Sequence, residues 1–302
     1  MSSTWPSTAN TIETADGRRL EVFVAGPDDG VAVIRNHGTP SCGMLYPARV
    51  ADAAERGLRL VGWSRPGYGG SDRQEGRLVA DCAADIAAVA DAIGAERFYV
   101  EGGSGGGPHA LAAAALLPER VLAAASVAGV APWGAEGLDW LAGMGEENVE
   151  EFGAAQAGGR ALSDFLEPRR AEMLKSDPAA TREVLKTLLS EVDARAFSGE
   201  LADFLAVQSA HALEPGIWGW YDDDIEFARP WGFDLGAIDV PVAVWQGGED
   251  RFVPFAHGEW LAAHVPGAAA HLLPEEGHLS IAERKYGEVL DELIAVATGR
   301  GG

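Results

Sequence analysis

The most constraining feature of the sequence is a glycine-rich turn in the segment FYVEGGSGGGPHAL, residues 98–111. The apolar run before the turn is typical of a buried strand, and the alanine-rich run after it is typical of a helix. A flexible linker would separate domains, whereas these glycines join two rigid elements. Phosphate-binding loops do not fit, because Pro108 stands where G-x-G-x-x-G needs its last glycine and no Gly-Lys-Ser/Thr follows. The remaining pattern is G-x-S-x-G, centred on Ser104.

A G-x-S-x-G turn between a strand and a helix holds its serine in a strained backbone conformation. The two elements approach so closely that side chains two residues before and after the serine would collide, and Gly102 and Gly106 avoid this collision. Pro108 is compatible with the helix start, because first-turn N–H groups have no intrahelical partner. The pattern predicts Ser104 as a nucleophile, with the N–H of Gly105 directed at a developing negative charge.

Charge and cysteine content exclude several classes of partner. The formal net charge is −23 and the pI is near 4.6, so nucleic-acid phosphates and anionic membranes would be repelled. Residues 1–19 lack the apolar core of a signal peptide, and no run reaches the ~18 apolar residues of a membrane span. Two cysteines, Cys42 and Cys82, are too few for a disulfide framework and are typical of a reducing compartment. We expect a cytoplasmic protein without nucleic-acid or membrane partners.

Short apolar runs alternate with helix-like segments along most of the chain, after a predicted β-hairpin turn at Asp16-Gly17. The apolar runs are typical of buried parallel strands and lie at 31–34, 58–61, 98–100, 121–127, 242–245 and 270–273. Helices are predicted at 48–56, 79–93, 108–117, 255–264 and 281–297. This alternation predicts an α/β fold with a mostly parallel central sheet, helices on both faces and a site at the carboxyl ends of the strands.

One long region breaks the alternation and is predicted to be a helical cap. Residues 130–236 contain no convincing strand, so we assign them to the cap and assign 1–129 and 237–302 to the core. In GIWGWYDDD, Trp218 and Trp220 would face the same side of an extended segment. Together with Trp133 at the cap entrance, and without clustered Arg or Lys, they predict an apolar substrate pocket above Ser104.

A serine becomes an effective nucleophile only when a histidine accepts its proton, and a carboxylate must hold that histidine in the correct tautomer. At a site of this kind the chain order is serine, acid, histidine. His278 is the candidate base, because it lies in EEGHLS just beyond a strand-like run. Asp250 and Glu249 are competing acids, and the shorter Asp250 has fewer rotamers to restrict. The other histidines are predicted to pack, to brace a loop or to lie at the surface: His37, His109, His211, His257, His264 and His271.

A tetrahedral intermediate needs a second N–H donor besides that of Gly105. In a site of this type the donor follows an early strand, and IRNHGTPSC at 34–42 has that position. We therefore predict an oxyanion hole formed by the backbone N–H groups of Thr39 and Gly105. Cys42 is a nucleophile by residue type, but it does not lie in a strand-to-helix turn.

Five short motifs occur in a characteristic order: HGTP at 37–40, RPGYGGSD at 65–72, GGSGG at 102–106, GGEDRFVP at 247–254 and GH at 277–278. With them the chain resembles the α/β-hydrolase superfamily, in its capped serine-hydrolase branch. The resemblance covers nearly the whole chain apart from the cap. It implies that Asp250, within GxxDxxVP, is the catalytic acid and that RPGYGGSD shapes the site. Haloalkane dehalogenases and epoxide hydrolases of this superfamily carry aspartate at the nucleophile position, so Ser104 argues against both activities.

The resemblance implies a serine hydrolase, and we expect a carboxylesterase or lactonase acting on small to medium uncharged esters, without metal or cofactor. An aminopeptidase resembling the proline iminopeptidases is the first alternative, because those enzymes hold a substrate amine with acidic cap residues. The acidic stretches at 146–147, 150–151 and 222–224 could do so here, although such runs are more often solvated helix faces. Against this alternative, those peptidases read HGGPG and GGSWG. A non-catalytic ligand-binding member of the superfamily is the second alternative.

Overall fold

An eight-stranded sheet organises the chain in the computed structural model, which describes residues 9–299. Residues 1–8, part of the N-terminal stretch considered above, lie outside the described residues. The strands are β1 (Ala9–Glu13), β2 (Arg19–Ala25), β3 (Val31–Asn36), β4 (Leu58–Trp63), β5 (Phe98–Gly103), β6 (Val121–Val127), β7 (Val242–Gly247) and β8 (Ala269–Leu273). Their order across the sheet is β1-β2-β4-β3-β5-β6-β7-β8. The β1–β2 and β2–β4 pairs are antiparallel and the others are parallel, which confirms a mostly parallel sheet.

Within residues 9–299, six α-helices accompany the sheet and six more follow one another between β6 and β7. Those of the core are α1 (Pro47–Glu55), α2 (Cys82–Ala92), α3 (Gly107–Leu116), α10 (Phe255–His264), α11 (His278–Arg284) and α12 (Tyr286–Gly299). Those between β6 and β7 are α4 (Glu146–Ala157), α5 (Gly159–Met173), α6 (Pro178–Val184), α7 (Glu191–Ala196), α8 (Gly199–Leu213) and α9 (Trp218–Phe227). The predicted single helix at 281–297 is wrong, because α11 ends at Arg284 and α12 begins at Tyr286.

The centre of the sheet is buried on both faces, as its sequence predicts. Every residue of β7 is buried, and β5 and β6 are buried apart from one residue each. The alanine-rich helix α3 is buried along most of its length, because it packs on β5 and β6 and is covered by α2. Small side chains allow this close approach, which places the start of α3 directly over the carboxyl end of β5.

The strand order creates a crevice between β3 and β5. The chain continues from β3 to β4 on one side and returns to β5 on the other side. In open α/β sheets ligands bind where the order reverses in this way, beyond the carboxyl ends of the strands. The segment after β3 carries HGTP and the segment after β5 carries the glycine-rich turn, so the fold brings these two motifs together.

The helical insertion, defined here as α4 to α9 at residues 146–227, covers the site side of the core. No strand occurs between residues 128 and 241 of the described chain. The extended conformation predicted for GIWGWYDDD is wrong, because α9 begins at Trp218. Side chains two residues apart on a helix point in nearly opposite directions, so Trp218 and Trp220 do not share a face. Nowhere in residues 9–299 is a helix both long and apolar enough to cross a membrane.

Candidate active site

The glycine-rich turn positions Ser104 between β5 and α3. Ser104 has a φ of 55°, which is a strained left-handed conformation for a residue with a side chain. A Cβ on Gly102 would overlap the carbonyl oxygen of Gly106, and a Cβ on Gly106 would overlap that of Asn36. The two glycines therefore permit the close approach of strand and helix, as the sequence predicts.

Asp250 and His278 are brought together beyond the carboxyl ends of the neighbouring parallel strands β7 and β8. Asp250 follows β7, and His278 is the first residue of α11 rather than part of a loop. His278 Nδ1 lies 2.8 Å from Asp250 Oδ2. Glu249, the competing acid, is exposed, whereas Asp250 is buried. The contact therefore selects Asp250.

Backbone and side-chain donors hold Asp250 in one orientation. Its Oδ1 accepts the N–H groups of Phe252 and Val253, each at 2.8 Å, and its Oδ2 accepts Gln246 Nε2 at 3.0 Å. The Phe252 ring stacks on the His278 ring with centroids 4.5 Å apart. With Nδ1 engaged by the carboxylate, Nε2 is the basic nitrogen of the neutral imidazole.

The charge of Asp250 also affects the protonation of His278. Burial lowers the pKa of His278, but the nearby Asp250 and Asp193 carboxylates outweigh burial and raise the pKa above its ordinary value. A base of this kind binds a proton more strongly than a free imidazole. Such an imidazole is suited to accept a hydroxyl proton near neutral pH.

The HGTP loop lies beside Ser104. A Cβ on Gly38 would lie 3.4 Å from Ser104 Cβ and 3.9 Å from its Oγ. Thr39 is adjacent to Gly105, because a Cβ on Gly105 would overlap Thr39 Oγ1. Both predicted oxyanion residues therefore line the same cavity as Ser104.

A buried ionic network, unrecognised in the sequence, holds this loop. The Arg65 guanidinium donates to the carbonyl oxygens of His37 and Gly38 and to Thr39 Oγ1, the last at 3.0 Å. His37 Nε2 accepts the N–H of Arg65 at 3.0 Å, so His37 braces the loop as predicted. Asp223, from α9, accepts from Arg65 Nη2 at 2.6 Å and from Thr39 Oγ1 at 2.5 Å. The helical insertion thus contacts the predicted oxyanion loop directly.

Two cavities meet at Ser104. The Trp220 cavity, of about 70 Å³, is lined by residues of α4, α5 and α9, and the His278 cavity, of about 160 Å³, is lined by residues of α6 and α8. Ser104, Thr39 and Phe252 line both cavities. A cavity of about 150 Å³ holds a molecule of the size of benzene, so the larger of the two has room for a small organic group. A substrate could therefore place one part on each side of the serine.

Of the three tryptophans predicted to contact substrate, the structure places one in these cavities. Trp220 is buried and lines the cavity named after it. Trp133 lines neither cavity and packs on Trp140 and Phe152. Trp218 also lines neither cavity, because the helical turn directs it away from Trp220. Its side chain is 43% exposed and lies against the Arg73 guanidinium.

The Trp220 cavity is more acidic than the predicted apolar pocket. Glu147, Glu151 and Asp224 line it, with Arg169 as the one cation among its lining residues. Trp220 Nε1 donates to Glu151 Oε1 at 2.6 Å. Burial raises the pKa of Glu151 to about 6, and burial together with Glu151 raises the pKa of Asp224 well above its ordinary value. The expectation of a solvated helix face is therefore wrong for the acidic run at 222–224, all of which is buried.

The remaining candidates have other environments. Cys42 is fully buried, and burial raises the pKa of its thiol well above the ordinary value, so it is not an activated nucleophile. His109 packs behind the serine and contacts the carbonyl oxygen of Gly105 and the carboxylate of Glu226. His109, Asp223 and Glu226 lie close enough to hold a metal ion, but Arg77 pairs with both carboxylates. The other histidines are buried, half-buried or exposed away from Ser104: His211, His257, His264 and His271.

The parallel sheet, the serine at a strand-to-helix turn and the histidine–aspartate contact together define a hydrolase architecture. Residues 31–285 match the family described as alpha/beta hydrolase fold, and the chain belongs to this family. This confirms the family resemblance and the fold predicted from the sequence.

The proteins to which this chain is similar are named for several different activities. The chain is 28% identical over 250 residues to a non-heme chloroperoxidase of Streptomyces lividans, covering 82% of this chain and 84% of that one. It is 29% identical over 261 residues to a pimeloyl-[acyl-carrier protein] methyl ester esterase of Chromobacterium violaceum, covering 86% and 91%. Among solved structures, an alpha/beta hydrolase fold protein from Nakamurella multipartita is 26% identical with a TM-score of 0.67, covering 97% and 100%. Family membership and the esterase relative support hydrolase activity for this chain.

Proposed function

We propose that the protein is a serine esterase or lactonase that hydrolyses uncharged carboxylic esters through an acyl-enzyme on Ser104. The observation that carries the proposal is the 2.8 Å contact between His278 Nδ1 and Asp250 Oδ2, at a cavity that Ser104 also lines. His278 accepts the hydroxyl proton as Ser104 Oγ attacks the ester carbonyl, and then gives it to the departing alcohol oxygen. Water, activated by the same imidazole, breaks the acyl–Ser104 bond and releases the acid.

The negative charge that develops on the carbonyl oxygen needs donors that are already in place. The N–H groups of Thr39 and Gly105 have this role in the proposal, supported by the packing of both residues beside Ser104. The start of α3 adds the positive end of a helix dipole to the same side.

Substrate choice belongs to the helical insertion in this proposal, with the cap extending over residues 130–236. The acyl group and the alcohol occupy the two cavities that meet at Ser104. Trp220 forms part of one wall, and cavities of about 70 and 160 Å³ on the two sides of Ser104 suit small to medium esters. The methyl ester esterase among the relatives supports an ester as the substrate class.

Labelling and kinetics test the catalytic part of the proposal. A fluorophosphonate should modify Ser104, and Ser104→Ala should abolish both labelling and hydrolysis of aryl esters without a change in melting temperature. Ser163→Ala is a matched control, because Ser163 lies in helix α5, lines neither cavity at Ser104 and donates to the carbonyl oxygen of Gly159 at the surface. Wild-type turnover by Ser104→Ala would exclude the proposal. A labelled serine without turnover on any ester or amide would favour a ligand-binding protein.

A second candidate function is hydrolysis of aminoacyl esters or amides, and the acidic Trp220 cavity favours it. Within the described residues, neither oxygen of Asp224 accepts a hydrogen bond from a basic or amide donor, and Glu147 Oε2 is buried without a partner. The neighbouring buried carboxyl groups of Glu151 and Asp224 complement an ammonium group. The amine of an aminoacyl substrate would then bind beside Glu151 and Asp224 while its carbonyl lies at Ser104.

Paired substrates distinguish the two candidates. An aminoacyl aryl ester should be hydrolysed faster than its N-acetylated counterpart if the amine is recognised, and Glu151→Gln should remove that difference. Glu146→Gln is the matched control, because Glu146 is an exposed acid on the same helix α4 and does not line the cavity. Equal rates on both substrates would exclude the aminoacyl candidate and leave the esterase proposal intact.

A further inference from the structure

One buried carboxylate from the helical insertion holds the helix that begins with His278. Asp193, in α7, has no exposed surface. Its Oδ2 accepts the N–H of His278 at 2.9 Å, and its Oδ1 accepts the N–H groups of Leu279 and Ser280 at 2.8 and 3.0 Å. First-turn N–H groups of a helix have no intrahelical acceptor, and a side-chain oxygen often supplies one. Here that side chain comes from a different part of the fold.

Asp193 is itself held firmly. Ser190 Oγ donates to its Oδ2 at 3.0 Å. Gly277 lies so close that a Cβ there would overlap the carboxylate. Leu279, the residue after His278, packs against an apolar cluster of the insertion formed by Leu189, Phe197 and Ala202. The backbone position of His278 therefore depends on contacts with the insertion as well as on the core.

The charged groups around His278 come from several elements. Asp250 contacts Nδ1 from the segment after β7, and Asp193 contacts the backbone from α7. The His278 cavity also contains cations that are paired with carboxylates, Arg49 with Glu283 and Arg35 with Glu101. The described hydrogen bonds of Asp193 include no cationic side chain, and those of Asp250 include only the His278 imidazole. The negative charges of both carboxylates therefore act on the imidazole.

We propose that Asp193 is a positioning residue for the reaction, contributed by the helical insertion. Its carboxylate fixes the first turn of α11, which orients the His278 imidazole. Its charge also stabilises the imidazolium that forms when His278 accepts the proton of Ser104. This role rests on the proposed function of His278 as general base. It makes the insertion a part of the catalytic support and not only a cover for substrate.

Asp193→Asn keeps the shape of the side chain and removes its charge. Without the carboxylate the imidazolium is less favoured, so the acid limb of kcat/KM should move to lower pH by about 0.3 to 1. Turnover on the alkaline plateau should fall about 3- to 30-fold. Glu191→Gln is the matched control, because Glu191 lies on the same helix with its side chain 97% exposed. The control should leave both quantities unchanged.

Asp193→Ser is a second variant for the case in which asparagine impairs folding, because serine is neutral and places no amide NH₂ against the N–H donors of α11. Active sites are counted with a fluorophosphonate, so incomplete folding lowers the yield without moving the pH midpoint. An acid limb that stays at the wild-type pH in both variants overturns the proposal, even if turnover falls, since that result assigns Asp193 to packing alone. A wild-type profile with no limb in the histidine range, or full turnover by His278→Ala, overturns the proposed function instead.

Discussion

Replacing Asp223 by asparagine should reduce both the stability of the protein and its turnover. Asp223 is fully buried in α9. Its carboxylate accepts from Arg65 Nη2 at 2.6 Å, Arg77 Nη2 at 2.6 Å, Tyr68 OH at 2.8 Å and Thr39 Oγ1 at 2.5 Å. Every one of these contacts supplies a donor, so an amide NH₂ would face a donor wherever it points.

The size of the loss in stability depends on which arginine is left without an acidic partner. Arg77 keeps the carboxylate of Glu226, whereas Asp223 is the acidic partner in the described ion pair of the buried Arg65. Removing one member of a buried ion pair lowers the free energy of unfolding by about 3–5 kcal/mol. Because Arg77 keeps its pair with Glu226, we expect a loss near the lower end, about 3 kcal/mol. For a chain of this size that corresponds to a fall in melting temperature of roughly 6 °C.

The pH dependence has a definite sign. Burial opposes ionisation of Asp223, but Arg65 and Arg77 hold its pKa well below the ordinary value. The stabilisation is therefore present above the pKa of an unfolded aspartate and is lost only as pH falls through the lower folded value. The difference between wild type and Asp223→Asn should stay constant between about pH 5 and 8.

Thermal unfolding followed by circular dichroism measures the loss of stability, and aryl-ester kinetics measure the effect on the loop. Turnover should fall about 10-fold, because the Thr39 hydroxyl loses its carboxylate acceptor and Arg65, which also holds Thr39, loses its acidic partner. Asp203→Asn is the matched control, since Asp203 is an exposed aspartate on the preceding helix α8. A melting temperature for Asp223→Asn within about 1 °C of the control would refute the reasoning.

Three further changes test the catalytic pair, the cavity wall and the turn. Asp250→Asn and His278→Ala should each lower kcat by about 10⁴-fold, and the double variant little further, because the two act as a unit; multiplicative losses would contradict this. Trp220→Ala should change the chain-length preference among aryl esters, whereas Trp218→Ala, at a side chain 43% exposed, should not. Equal profiles for both would assign Trp220 to packing. Gly106→Ala should prevent folding, since its Cβ would overlap the end of β3, and an unchanged melting temperature would disprove that contact.

The sheet and the serine turn could be predicted because their signals are local. Strand β6 has the predicted bounds, 121–127, and helix α10 has the predicted bounds, 255–264. Both are continuous apolar or helix-favouring segments whose burial follows from composition. The positions of Gly102 and Gly106 follow from collisions between neighbouring residues, which any chain with this turn must avoid.

Choosing between Asp250 and Glu249 required more than spacing. The two residues are adjacent and have the same charge, so local sequence ranks them weakly. The motif resemblance selected Asp250, and the structure agrees because Asp250 is buried against His278 while Glu249 is exposed. The functional role of this pair stays a prediction for the kinetic tests above.

The helical insertion was the part that the sequence determined least. Alternation of residue types in 216–224 fits an extended strand, but packing against the core makes this segment the start of α9. Its acidic run has the composition of a solvated face, yet Asp223 lies buried between arginines that are far away in the sequence, with Arg65 separated from it by 158 positions.

The sequence by itself therefore determined the individual strands and the strand-to-helix turn that carries Ser104, because their signals come from neighbours within a few residues. Only the tertiary structure decided which carboxylates are buried and what they hold. Asp223 reaches the loop after β3, and Asp193 reaches His278 across 85 positions. A carboxylate is stable in the interior only where donors converge on it. Because those donors come from distant segments, no local pattern distinguishes such a residue from one that faces water.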